Sequence, residues 1–410
     1  MEKLVEVIEK ENIYNIPLNN LFTYGIRANN SKRNFLFISK LLGKHLIVHP
    51  DIVKASGCLL SSLVYSDHPY NIDELVSFLA DTTINIKTEI NKTISNNTST
   101  LVIGFAETAT GLGESVASCI ENCYYGTTTR DEIIFDCDEN KPCQSFSFEE
   151  EHSHATNHNC YLNTSAFDVE HIILVDDEIT TGNTMLNLIK NLIKTSSCKK
   201  YTILSILDWR NEDQKKKFRE FEELYKVELS VKALVSGNFQ LISNKTFYDG
   251  KTVTLCNYPI DCEDYSFYFS NKNCIVNNQE QRKFLKYTGK FGVSFSDIKK
   301  IEEEARTFAE SYNTKDKKIL VVGHGENIYI PSRIASYLNA DFKTTSRSPI
   351  YTVENDNAYP IRDEVVFEDE SILYHFYNAR EIEEIYDEVL FLTEKYIPMK
   401  FTKNLKEIII

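Results

Sequence analysis

The stretch HIILVDDEITTGNTM, residues 171–185, joins an apolar run to two adjacent carboxylates and then to threonines around one glycine. Residues 172–175 are the kind of short apolar, largely β-branched run that forms a buried strand. Apolar residues then recur with the helical period of 3.6, at Met185, Leu186, Leu188, Ile189, Leu192 and Ile193. The segment therefore predicts a strand, a polar loop and a helix.

Two other stretches repeat this order. They are TLVIGFAETATGLGESVASCIEN, residues 100–122, and KKILVVGHGENIYIPSRIASYL, residues 317–338. A further strand, KYTILSILDW, follows at residues 200–209. Because strands alternate with helices, we predict an α/β fold in which a parallel sheet carries helices on both faces.

Three segments complete the outline of the chain. Residues 124–168 show few periodic features and predict a long loop, which inside a domain is usually functional. The chain is polar and irregular over residues 244–278, so we predict a first α/β domain at 1–245 and a second at 246–410. The acidic stretch AREIEEIYDEVLFLTEKY, residues 379–396, predicts a final helix.

The composition restricts the possible partners. A formal net charge of -15 disfavours binding to nucleic acid or to an anionic membrane as the main activity. The ten cysteines are scattered, and the sequence begins MEKLVEVIEKEN without an apolar signal segment. We therefore expect reduced thiols and a cytoplasmic location. No run approaches the ~18 to 20 apolar residues that a membrane helix needs.

The acid pair and the threonines that follow it suggest a ligand. In a parallel α/β sheet, ligands bind beyond the carboxyl ends of the strands, so at least one of Asp176 and Asp177 should face a crevice. A carboxylate there can bind a diol or a divalent cation. The next residues offer hydroxyl and N–H groups suited to a phosphate: Thr180, Thr181, Gly182, Asn183 and Thr184. This order predicts a ribose 5-phosphate site, whereas a helix cap at Asp177 or Thr180 is the structural alternative.

The whole string resembles the phosphoribosyl pyrophosphate signature of type I phosphoribosyltransferases. The resemblance implies that Asp176 and Asp177 contact the ribose hydroxyls and hold Mg²⁺, directly or through water, and that residues 180–184 hold the 5-phosphate. It also implies a pyrophosphate loop at Ala106, Glu107, Thr108 and Ala109. Glu107 would repel pyrophosphate unless a cation lay between them, and a capping box around Thr108 is the alternative.

Type I enzymes also have a flexible catalytic loop, at the place where this chain has Arg130 and EEEHSHATNH, residues 149–158. The resemblance implies catalytic roles for Arg130, His152 and His154, in addition to Asp176 and Asp177. Two alternatives are a solvated loop and a zinc site that combines the histidines with Cys137, Cys143 or Cys160.

A narrower resemblance adds the basic segment FTYGIRANNSKRNFLFISKLLGKH, residues 22–45, whose charges are usually interpreted as a solvated face. With ETATGLG, EEEHSHAT, LVDDEITTGNT and LDWRN, it resembles the bacterial phosphoribosyltransferases encoded in tellurite-resistance and stress-response operons, over residues 21–237. In that family a domain named for a Thr-Arg-Ser-Pro (TRSP) motif follows. TTSRSP, residues 344–349, matches the motif except that Ser346 replaces the threonine.

The second domain offers a further set of candidate ligand residues. A glycine turn lets the backbone approach a ligand closely, and arginine can bind an anion. The candidates are Gly323, Gly325, Glu326, Arg333 and Arg347. A purely structural turn explains the glycines equally well.

These features support two main hypotheses. The first is an enzyme, a pentosyl glycosyltransferase that uses phosphoribosyl pyrophosphate and Mg²⁺ to ribosylate an unidentified, nucleobase-like acceptor and yields a nucleoside-like metabolite. The second is a regulatory protein that senses phosphoribosyl pyrophosphate or a nucleotide without turnover. A metal-binding stress protein built on the histidine and cysteine loop is a weaker third. The expected partners are these small molecules, and the resemblance makes a homodimer plausible.

Overall fold

The computed structural model describes residues 5–27, 35–131, 133, 143–149, 157–242, 261–264, 272–274, 283–354, 359–397 and 400–410. The strands of the N-terminal part are β1 Val5–Asn12, β2 Phe22–Ile26, β3 Phe35–Ser39, β4 Thr100–Gly104, β5 Cys123–Thr129, β6 Cys143–Glu149, β7 Asn157–Asn163, β8 His171–Ile179, β9 Lys200–Asp208 and β10 Glu228–Leu241. Those of the C-terminal part are β11 Asp261–Asp264, β12 Lys272–Cys274, β13 Lys283–Leu285, β14 Val293–Ser294, β15 Ile319–Gly323, β16 Asp341–Thr344, β17 Glu364–Asp369, β18 Ile372–Tyr377, β19 Glu388–Thr393 and β20 Leu405–Ile409.

The α-helices are α1 Leu18–Leu21, α2 Asp51–Val64, α3 Ile72–Ala80, α4 Lys87–Ile90, α5 Thr110–Ser118, α6 Asn183–Thr195, α7 Glu212–Tyr225, α8 Phe295–Ser311, α9 Tyr329–Leu338 and α10 Ala379–Ile385, and 3-10 turns lie at Thr164–Phe167 and Lys286–Thr288. None of these helices is both long and apolar enough to cross a membrane.

The larger sheet has the order β1-β10-β9-β8-β4-β5-β7-β6, with β14 paired to β5. Its five central strands are parallel, and antiparallel strands lie at both edges. Strand β4 has β5 on one side and β8 on the other, so the direction in which successive strands are added reverses there. In register, Gly104 lies opposite Val175, so the polar segments after these residues begin at the same edge. The predicted α/β class is confirmed.

The smaller sheet is entirely parallel, in the order β11-β20-β19-β15-β16. Here too a central strand, β15, has its successor β16 on one side and the later strand β19 on the other. Many apolar side chains of both parts share one buried core, in which α9 packs against α5, and a separate buried cluster lies within the C-terminal part. A Cβ added to Gly111 of α5 would lie 2.4 Å from Cγ2 of Ile328, so this glycine permits the close approach. The predicted boundary at residue 245 lies outside the described residues.

Two expectations about secondary structure are wrong. The predicted loop at 124–168 contains β5, β6 and β7, and β6 and β7 form an antiparallel ladder. The alternation of serines with Phe146 and Phe148 in CQSFSFE is the strand period that the prediction overlooked. The predicted final helix ends at Ile385, and Glu388–Thr393 forms β19. The run at residues 389–392 is fully buried between β15 and β20, where an apolar strand is favoured.

Candidate active site

The sequence predicted that the acid pair follows the strand. The pair lies within β8 instead, because the pairing of β8 with β9 continues to Ile179. Asp176 lies opposite Ser205, and both aspartates are half-buried at the carboxyl end of the strand. The backbone N–H of Asp177 donates to Oδ1 of Asp176 at 2.9 Å.

The loop after β8 has a specific backbone geometry. Gly182 precedes α6 with a φ of 75°, a left-handed conformation that favours glycine. No side chain caps α6, so the alternative in which Asp177 or Thr180 caps this helix is wrong. Thr181 Oγ1 instead accepts from the N–H of Asn183 at 3.3 Å, inside the predicted phosphate loop. The loop therefore leads directly into the positive end of a helix of 13 residues.

Arg210 supports the loop from the neighbouring strand, a role that the sequence analysis missed. Its guanidinium makes two hydrogen bonds to Asp208, at 2.9 and 2.8 Å, and lies 4.2 Å from the ring centroid of Phe218. A Cβ on Gly182 would lie 2.4 Å from Phe218 Cζ and 3.4 Å from Arg210 Cδ. The sequence offered one indication of this role: the LDWRN motif lies at the end of the predicted strand 200–209, at the edge of the sheet where β8 also ends.

The predicted pyrophosphate loop lies beside the end of β8. The N–H of Phe105 donates to Val175 O at 3.0 Å, and that of Ala106 donates to Thr128 Oγ1 at 2.9 Å. The Ala106–Glu107 peptide bond is cis. Because Ala109 precedes α5 and no side chain caps that helix, the capping box around Thr108 is wrong. The two loops predicted to contact one substrate are thus neighbours.

Glu107 is buried and paired with cations of the protein. Its Oε1 lies 2.6 Å from Lys44 Nζ, and its Oε2 accepts from the backbone N–H of Arg347 at 3.2 Å. Burial works against the charged carboxylate, but the positive charges of Lys44 and then Arg347 hold the pKa of Glu107 at about 2. Lys44 and His45 are buried, so the interpretation of the basic segment as a solvated face is wrong for both.

The predicted catalytic loop is only partly described. His152, His154 and Cys137 lie outside the described residues, so their catalytic or zinc-binding roles stay predictions. Arg130 directly follows β5, and its backbone N–H donates to Glu326 Oε1 at 3.1 Å. The described portion of the chain contains no cluster of three or more His, Cys, Asp or Glu residues placed to hold a metal.

A family model described as "Phosphoribosyl transferase" matches residues 21–238, just over half of the chain. The chain belongs to this family. A second model, described as "TRSP domain C terminus to PRTase_2", matches residues 287–409. The predicted family and the predicted C-terminal domain are therefore confirmed.

Solved structures of nucleobase phosphoribosyltransferases are similar over part of the chain. Adenine phosphoribosyl transferase from Trypanosoma brucei is 14% identical, with a TM-score of 0.24 over 34% of this chain and 56% of its own. The enzyme from Leishmania tarentolae is 14% identical, with a TM-score of 0.25 over 46% and 71%. Hypoxanthine phosphoribosyltransferase from Staphylococcus aureus is 10% identical, with a TM-score of 0.22 over 41% and 69%. The chain thus spans little more than half of the trypanosomal enzyme, and no curated protein matches it.

The TRSP domain places its glycine turn against the transferase loops. Gly325, with a φ of +57°, accepts from Lys44 Nζ through its carbonyl oxygen at 2.9 Å. Glu326 accepts from Thr129 Oγ1 at 2.7 Å in addition to Arg130, and its own carbonyl accepts from Thr110 Oγ1 at 2.7 Å. The turn that starts at Gly323 therefore covers the ends of β4 and β5.

The two candidate arginines of this domain differ in surroundings. Arg333 is 1% exposed and contacts Glu302 and Asp51, so the geometry gives it a structural role, and its predicted role in ligand binding stays untested. Arg347 lies at the junction, where its side chain contacts Asp131 and Tyr374. Burial works against the cation, but Glu326 and other negative groups around it raise the pKa of Arg347 above its ordinary value.

Proposed function

We propose that the protein transfers a ribose 5-phosphate unit from phosphoribosyl pyrophosphate to a small nucleobase-like acceptor, with Mg²⁺ as cofactor. Family membership supports the class of reaction. The resemblance noted in the sequence further supports a nucleoside-like product and a place in stress or tellurite-resistance pathways, and the scattered cysteines support a cytoplasmic location.

One observation carries the proposal. The half-buried carboxylates of β8 are joined to the N-terminus of α6 by only five residues, 178–182, which end at Gly182. A diol and a phosphate lie at opposite ends of a ribose 5-phosphate. Carboxylates accept hydrogen bonds from hydroxyl groups, whereas a helix N-terminus attracts a phosphate. Asp176 and Asp177 would thus hold the sugar hydroxyls, and residues 180–184 would hold the phosphate.

The donor set at the end of β8 also fits Mg²⁺. This ion takes oxygen ligands and usually keeps waters while binding one or two carboxylates and substrate phosphates. Asp176 and Asp177 would hold it, and when bound it would supply positive charge beside the pyrophosphate. A site of this kind needs no cluster of three protein carboxylates.

In the reaction, the bond between the anomeric carbon and a pyrophosphate oxygen breaks, and a bond to the acceptor forms. The protein's part is to fix the ribose, to stabilise the charge of the leaving group and to exclude water. Lys44 and Arg347 neutralise Glu107 in the predicted pyrophosphate loop, so this carboxylate does not act as an isolated negative charge there. The TRSP turn above β4 and β5 helps to exclude water.

Isothermal titration calorimetry with phosphoribosyl pyrophosphate and Mg²⁺ tests the binding. We expect saturable binding that disappears when Asp176→Asn is combined with Asp177→Asn. The matched control combines Asp67→Asn with Asp316→Asn, which makes the same change at two exposed aspartates. Binding that is absent in the native protein, or equal in both double variants, would refute the proposed site.

Pyrophosphate release in the presence of a panel of purine and pyrimidine bases tests the turnover. We expect release with at least one base. Tight binding of phosphoribosyl pyrophosphate with no release across the panel would instead support the regulatory sensor.

A further inference from the structure

A second cleft lies where the TRSP domain meets Asp131 of the transferase part, and residues that follow three parallel strands of the TRSP domain line it. His324 and Asn327 follow β15, Arg347 follows β16, and Lys395 follows β19. Strand β15 is the point where the order of this sheet reverses, with β16 on one side and β19 on the other. In open α/β sheets, ligands bind beyond the carboxyl ends of the strands at such a reversal. The cleft therefore lies where this second sheet is built to bind a molecule.

Asn327 gives an independent indication of a ligand. The residue is 6% exposed and lines the cleft, but its Nδ2 has no hydrogen-bond partner in the described part of the chain. A buried donor without a partner costs about 1–3 kcal/mol, so a ligand acceptor that reaches this amide gains a stabilising hydrogen bond. Arg347 donates side-chain hydrogen bonds through Nε and Nη2. Its Nη1 donates none to the described residues.

The charges of the lining define the chemistry of that molecule. Three cations, Lys290, Arg347 and Lys395, are balanced by the four carboxylates of Asp131, Glu326, Asp369 and Glu394. His324 adds no charge near neutral pH, because burial lowers the pKa of its imidazole. With carboxylates in slight excess, the cleft disfavours a polyanion such as pyrophosphate. A ligand that carries both one anionic and one cationic group matches the lining better.

We propose that this cleft binds a small zwitterion of the amino-acid class. Its carboxylate accepts from Asn327 Nδ2 and from the guanidinium of Arg347, which suits a carboxylate through its planar set of donors. Its ammonium group lies among the carboxylates of the lining, of which Glu394 accepts from the backbone N–H of Leu285 at 3.0 Å. The cleft adjoins the predicted pyrophosphate loop, because the backbone N–H of Arg347 donates to Glu107, but the proposal does not depend on phosphoribosyl transfer.

Thermal-shift screening of the full-length protein, without phosphoribosyl pyrophosphate, tests the proposal with each proteinogenic amino acid. Calorimetry then measures the affinity of any hit, together with its decarboxylated amine, its deaminated acid and inorganic pyrophosphate. We expect the intact amino acid to bind at least about tenfold more tightly than either truncated compound, about 1.4 kcal/mol for each missing charge. We expect Asn327→Asp to bind the intact amino acid at least about tenfold more weakly than the native protein does, because the change replaces the donor by an anion.

Asn313→Asp is the matched control, since it makes the same change at an exposed asparagine of the same domain. Arg347→Lys keeps the charge but removes the planar donor set, and it serves if Asn327→Asp lowers the melting temperature severely. The proposal is overturned if no amino acid binds at millimolar concentration, if Asn327→Asp and Arg347→Lys bind like the native protein, or if pyrophosphate binds more tightly than any amino acid and loses that affinity in Arg347→Lys.

Discussion

Replacement of Arg333 by methionine distinguishes its structural role from the ligand-binding role that the sequence suggested. The native guanidinium donates through Nε to both oxygens of Glu302, at 3.0 and 3.1 Å, and Nη1 lies 3.1 Å from Asp51 Oδ1. These contacts join α9 to α8 and to α2. In Arg333→Met, two buried carboxylates lose their shared cation.

The expected cost follows from what remains around those carboxylates. Removing one partner of a buried ion pair costs about 3–5 kcal/mol. Lys54 stays 2.7 Å from Glu302 and Lys87 stays 3.1 Å from Asp51, so we expect the lower end of that range, about 3 kcal/mol. Because domains have an unfolding free energy of about 5–15 kcal/mol, this loss is large enough to measure.

Urea denaturation followed by circular dichroism measures the change in the free energy of unfolding. Arg306→Met is the control, because Arg306 is exposed and lies 5.3 Å from the ring of Tyr337, which Arg333 also approaches. We expect the control to lose less than about 0.5 kcal/mol. Equal stability of the two variants, with a loss of ligand binding confined to Arg333→Met, would refute the structural role.

The pH dependence gives a second check on the same variant. Although burial opposes ionisation, Arg333 and Lys54 hold the pKa of Glu302 well below its usual value. A lowered folded-state pKa contributes stability above the unfolded pKa of about 4.5, and this contribution is lost as the pH falls below it. The stability difference between the native protein and Arg333→Met should therefore be largest near neutral pH and shrink in acid.

Three further predictions concern other parts of the molecule. A double-mutant cycle of Lys44→Met and Glu107→Gln should give a coupling free energy of about 1–3 kcal/mol, because either single change leaves a buried group unpaired; additive losses would contradict the ion pair. Gly182→Ala should destabilise the protein by about 1–3 kcal/mol more than Gly292→Ala, since both have positive φ but only the first Cβ would collide, with Phe218; equal melting temperatures would contradict this. Burial raises the pKa of Glu407 to about 7, so stability should fall by about 3 kcal/mol as the pH rises from about 4.5 to 7, and Glu407→Gln should flatten that part of a pH series of urea titrations.

The sequence predicted the elements whose signals are local. The apolar run before Asp176 and the helical period from Met185 onward predicted the start of β8 and the helix α6. The prediction overlooked the pairing of β6 with the nearby β7. It also failed at residues 388–393, which form a strand because they pair with β15, about 70 residues away in the chain.

The sequence by itself therefore determined the α/β class, the family and the order of carboxylates, glycine and helix that suits a ribose phosphate. The tertiary structure alone decided which charged residues face a ligand and which face each other. In the sequence Lys44 belongs to a basic segment interpreted as a solvated face and Arg333 is a candidate ligand residue, but Glu107 in one case and Glu302 in the other neutralise them inside the protein. An ion takes its role from charges close to it in space, and here those partners are separated from it by tens of residues along the chain.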